Sequence, residues 1–190
     1  TTAGFGVMNQ LWSYGQMPAV AVGSAVSAMV AQNIGANNWA RVDRAVWSGI
    51  VINLVMSGIL VLLTTVFATP LLGLFLPEGS PAIAIAIHIN HIIGWSFILM
   101  GISVVVTFAV RANGAVLAPM LILIFSAIIV RFSVGYGLHD RFGADAIWAA
   151  FIATSIASCL LSIGYYLHGS WRKAKAMSFA PPAAVTPATE

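Results

Sequence analysis

No Asp, Glu, Lys or Arg occurs between positions 1 and 40, and none between 45 and 77, yet Arg41, Asp43 and Arg44 crowd into the gap between these runs. Two long uncharged stretches joined by a short basic link are what a pair of bilayer-spanning helices and the turn at one membrane face require. Within the link, residues 31–45 (AQNIGANNWARVDRA), Gly35 is expected to end the first helix in the left-handed conformation, and Asn37 and Asn38 to cap and restart the next.

The pattern persists. Of 190 residues, 60% are hydrophobic and 7% charged, where a soluble domain carries about 25% charged residues. Cutting at charges, prolines and turn residues leaves apolar segments near 3–32, 40–69, 81–110, 116–138 and 144–168. Each is longer than the roughly 20 residues that cross a hydrocarbon core. The expected fold is therefore an all-α, polytopic bundle of five spans over residues 1–175, followed by a disordered Pro/Ala-rich tail at 176–190. Pro70 is expected to end the second helix. Because residue 5 onward already reads as a span, the chain is expected to be a piece of a longer protein. Arg41, Arg44, Arg111, Arg172, Lys173 and Lys175 fall on one side of such a bundle, against Arg141 alone on the other, so the tail is expected in the cytoplasm. This dispersed charge is no nucleic-acid patch. The single cysteine, Cys159, excludes a disulfide framework within the chain.

Polar side chains in a span mark the faces that are not lipid. Asn9, Ser13, Gln16, Ser24 and Ser27 recur at spacings of 4, 3, 8 and 3, a stripe roughly 80° wide on a helix. That stripe either walls a cavity or binds neighbouring helices by hydrogen bonds. Pro18 interrupts it and is expected to kink the helix near Tyr14. Asn53, Ser57 and Thr64 repeat the theme, with Gly49 beside them. His88, His91 and Trp95 share one face near the outer end of the third segment, fit for substrate or proton contact, for a hydrogen-bonded interfacial pair, or, with further ligands, for a metal. Arg131 is the one full charge well inside a span, and no acid of this chain lies at its depth. No catalytic triad, paired carboxylates, His-Glu-x-x-His or phosphate loop is present, so neither enzyme activity nor a cofactor is expected.

The order of several short motifs resembles the C-terminal half of MATE (multidrug and toxic compound extrusion) transporters. They are Gln16-Met17-Pro18, Gln32-Asn33-Ile34-Gly35-Ala36 followed by Arg41 and Arg44, Arg111-Ala112-Asn113-Gly114-Ala115 with Pro119, Arg131, and the restart at 143–148. The resemblance implies that the five spans are helices eight to twelve of a two-lobed, twelve-helix antiporter of the bacterial inner membrane. Its partner would be the missing N-terminal lobe, its substrates small organic cations, and its coupling ion H+ or Na+. On that likeness Asn9, Ser13, Gln16, Asn53, His88, His91 and Trp95 are candidates for the substrate pathway, and Pro18, Gly35, Arg111 and Arg131 for structural or gating roles. Many family members carry an acid in the tenth helix; this chain has Leu99-Met100-Gly101 there. The coupling carboxylate would then lie in the N-terminal lobe, which favours H+. A lipid-linked saccharide flippase of the same superfamily is the nearest alternative, although its cavity would need more basic residues than Arg131. A membrane-embedded His-dependent enzyme and a non-transporting scaffold are the alternatives of other classes.

Overall fold

A computed structural model describes residues 2–73, 81–143 and 145–173. Its elements are α1 (Thr2–Gly35), α2 (Trp39–Val66), α3 (Ala68–Gly73), α4 (Pro81–Ile93), α5 (Ser96–Arg111), α6 (Leu117–Ile124), a π-helical turn (Phe125–Val130), α7 (Arg131–Phe142), α8 (Asp145–His168) and a 3-10 turn (Ser170–Lys173). There is no strand among the described residues. Four helical stretches are long and apolar enough to cross a membrane, and a fifth arises if α4 and α5, bent by 49° at Gly94 and Trp95, count as one broken span. The tail at 176–190 and the acidic link around Glu78 lie outside the described residues.

The α1–α2 turn follows from its amides. Gly35 is still helical, and the left-handed residue is Asn37, at φ 53°. The Asn38 N–H reaches the Asn33 carbonyl (2.8 Å) and the Asn37 N–H the Ile34 carbonyl (2.9 Å), the paired bonds of a Schellman motif. Asn tolerates the left-handed region because its short side chain bonds locally, so the glycine is not needed there. The Asn38 side chain then accepts from the Arg41 N–H (3.2 Å) and caps α2.

The prolines sit differently in their helices. α1 runs unbroken through Pro18. α2 ends at Val66, four residues ahead of Pro70, and Pro70 sits inside the first turn of α3. A proline ring collides with the carbonyl four residues back, and a first turn has no intrahelical use for the missing N–H. The break therefore precedes the proline instead of falling on it.

α5 is the central helix. It packs on α1 and α2 on one side and on α8 on the other, and α7 packs on α8. The core lies at the basic face, where Val26 and Val30 of α1, Val42, Val46 and Ile50 of α2, and Val105, Val106, Ala109 and Val110 of α5 interlock over Tyr166 and Trp171. Repeats at i, i+4 put each valine row on one ridge. Gly49 makes the α1–α2 approach possible, since a β-carbon there would run into the Val26 side chain.

Candidate functional site

Arg131 begins α7 directly after the π-helical turn Phe125–Val130. Widened turns of this kind displace the side chains that follow and recur at functional sites. The Arg131 guanidinium lies over the Phe151 ring of α8, 4.5 Å from its centroid. Both line a cleft of about 430 Å³ between α5, the α6–α7 span and α8, together with Met100, Ser103, Thr107, Arg111, Thr154, Ser155 and Ser158. α5 and α8 run antiparallel to the α6–α7 span. The cleft thus stretches from Arg111, at the face bearing the basic links, to Arg131. Arg131 stands 14 residues from the start and 11 from the end of the 117–142 span, about 21 and 16 Å along the axis.

The cleft is mostly apolar, its walls completed by Val104, Phe108, Leu123 and Ala127, with hydroxyls along α5 and α8 and an arginine at either end. Ser103 and Ser162 share a hydrogen bond (2.9 Å), and the Ser103 hydroxyl also donates to the Ser158 carbonyl (3.3 Å), tying α5 to α8 along one wall. The acids among the described residues stand elsewhere: Asp43 pairs with Arg172, Asp145 with His88 (3.5 Å), and Asp140 is exposed near the end of α7. Arg131 has no carboxylate partner among the described residues. A guanidinium at that depth in a bilayer costs about 2.5–3.5 kcal/mol on insertion scales, so its position calls for a counter-charge.

The residues expected along a substrate pathway do not meet in this cleft. The side chain of Asn9 lies outside the described residues. Ser13 is exposed and Gln16 half-buried, on a stripe about a quarter turn from the buried face formed by Ala19, Val26 and Val30. Asn53 is not on an open wall: it is 0% exposed, wedged between α2 and Gly101 of α5, and accepts a hydrogen bond from Ser57 (3.3 Å). His88 and His91 point away from the buried face of α4, and Trp95 is 67% exposed at the bend. The polar residue that α4 buries is Asn90, which donates to the Thr64 carbonyl of α2 (3.2 Å). Of the positions expected to be structural, Arg111 and Arg131 bracket the cleft, while Pro18 and Gly35 lie within continuous helix.

A second constellation escaped sequence reasoning. At the basic face, Asp43 accepts from the Tyr166 hydroxyl and from Arg172, each at 2.6 Å. The Trp171 indole donates to the Tyr166 carbonyl (2.9 Å), and the buried Asn113 donates to the Trp171 carbonyl (2.8 Å). Trp171 stacks on Tyr166 and meets Trp39 edge-on, with the Arg172 guanidinium 5.5 Å from the Trp39 ring. Gly114 and Gly169, both at positive φ, supply the turns that bring these segments together. The cluster closes the α1–α2 link, the α5–α6 link and the segment after α8 into one latch. The available signal was that Asp43 is the lone acid of a basic link on the side shared with Arg172.

Long apolar helices and a broken span define a multi-pass helical membrane protein. A sequence model of the MatE family matches residues 1–137. The chain belongs to this family, the MATE transporters. It is similar to two Bacillus subtilis (strain 168) proteins. One, the probable multidrug resistance protein YoeA, is 38% identical over 174 residues, covering 90% of this chain and 37% of the relative. The other, the probable multidrug resistance protein YpnP, is 27% identical over 173 residues, covering 91% and 39%. The chain thus spans well under half the length of these relatives. No solved structure matches it.

Proposed function

We propose that this chain forms one part of an exporter that exchanges amphipathic organic cations for H+ or Na+ across a bacterial inner membrane. The observation that carries this reading is membership of the MATE family, in a chain whose spans enclose a cleft of about 430 Å³ lined by aromatic rings, hydroxyls and two arginines. Such linings suit amphipathic molecules through hydrogen bonds and ring contacts. Two relatives that bear multidrug resistance names support drug export. The face carrying Arg41, Arg44, Arg111, Arg172 and Lys173 is taken as cytoplasmic on the distribution of basic residues. The coupling carboxylate belongs to the remainder of the full-length protein, because the described acids lie at the membrane faces; this favours H+. Rocking of two lobes about a midplane site would give alternating access.

Expression of the full-length protein in a drug-sensitive bacterium should lower the steady-state accumulation of ethidium and norfloxacin, and collapse of the ion gradient should restore it. Unaltered accumulation across a broad panel of organic cations would refute the reading.

A further inference from the structure

Arg131 presents a problem for a cation exporter. Its guanidinium sits in the cleft, and a bound monocation would meet a like charge there. Its Cα lies about 16 Å along the axis from the nearer end of its helix. Its contact with Phe151 directs it toward α8 and not along its own helix. Arg111 stands at the other end of the same cleft. Of the five hydroxyl-bearing side chains between the two, Ser103, Thr154 and Ser155 donate to the backbone carbonyls of Ser158, Ala150 and Phe151, which leaves Thr107 and Ser158 to donate into the cleft. The Arg131 guanidinium, with Thr107 and Ser158 as free hydroxyl donors and no carboxylate among the lining residues, makes a site for negatively charged oxygen inside otherwise apolar walls.

We infer that the cleft between α5, α7 and α8 binds the anionic end of an amphipathic molecule, with Arg131 as its principal contact and Phe151 flanking the apolar body. The inference rests on the exporter reading and narrows it: zwitterions that carry both an ammonium and a carboxylate are the preferred substrates, ahead of simple monocations. The guanidinium fork matches a carboxylate or phosphate in two parallel hydrogen bonds, and the low dielectric of the span strengthens them. The same chemistry would accept the phosphate of a lipid headgroup entering between the helices, so the source of the anion has to be separated by experiment.

The test uses the purified full-length protein in maltoside micelles, free of added lipid, and two probes on one scaffold. Norfloxacin carries a carboxylate and an ammonium; its ethyl ester keeps only the ammonium. Equilibrium dialysis should show norfloxacin bound at least about tenfold more tightly than the ester. In Arg131→Gln this ratio should fall to near one, and in Arg131→Lys, which keeps the charge but loses the fork, it should be intermediate. Adding phosphatidylglycerol distinguishes the two sources. Loss of the preference for norfloxacin would assign the site to lipid phosphate, and its persistence to the substrate carboxylate; either agrees with anion binding at Arg131. A wild-type protein that binds both compounds equally, or an Arg131→Gln variant that weakens both by the same factor, would overturn the site and leave the exporter reading standing. Binding of neither compound by the wild type would overturn both.

Discussion

At Gly101 there is no room for a methyl group. A β-carbon would lie 2.5 Å from the Asn53 amide nitrogen and 2.8 Å from its amide oxygen, in the contact where α2 meets the central helix. Gly101→Ala should destabilise the protein by about 1–3 kcal/mol, the usual cost of overpacking, read as a lower thermal midpoint of the full-length protein in micelles. Adding Asn53→Ala should recover most of the loss if the clash is with that one side chain; no recovery would place the strain in the helix backbones. The same position shows how far single residues were legible. Asn53 was recognisable as a polar residue that must avoid lipid, but nothing in its spacing tells a buried amide from a cavity wall. His88, Asn90 and His91 make the point more sharply. The histidines attract notice by their chemistry, yet the packing of α4 turns them outward and buries the asparagine between them.

Single elements account for most of what was anticipated and for the particular failures. The long apolar stretches appear as helices because only a helix lets one segment satisfy its whole backbone in hydrocarbon by itself. Their interruptions were harder to see. The bend between α4 and α5 falls where the Gly94 N–H bonds to the Asn90 carbonyl (2.8 Å) and Gly94 is itself buried. The π-helical turn before Arg131 has no mark in composition at all. The latch joins three segments that are each short and individually unremarkable. Trp171→Ala should be its most costly truncation, about 3–5 kcal/mol, since the indole is fully buried among Val, Tyr and Trp side chains. Tyr166→Phe should cost about 1 kcal/mol. A double-mutant cycle on Asp43 and Arg172 should give a coupling below about 1 kcal/mol, because each side chain is 37% exposed and water screens the pair. A coupling of several kcal/mol would mean that the pair is shut away from water in the full-length protein. Thermal unfolding of the single and double variants measures all three.

For the molecule as a whole, the charge distribution predicts a single orientation. In a cysteine-free background of the full-length protein, a cysteine at Ser170 should resist a membrane-impermeant maleimide in intact cells, and one at Gly143 should react. The reverse pattern would invert the bundle and take the proposed direction of export with it. Hydropathy and charge alone determined that these residues cross a membrane repeatedly, which faces share the basic links, and, with the order of short motifs, which family they resemble. That much is local, because burial in lipid is imposed on each segment separately by its own backbone and charges. Which polar groups meet was decided only by tertiary structure. Asp43 finds Arg172 across 129 positions of sequence, and the Arg131 cleft exists only because α5 and α8 come together beside a widened helical turn. Contacts of that range depend on how ridges of valine and gaps left by glycine let the helices approach, and spacing along one helix carries no trace of its neighbour.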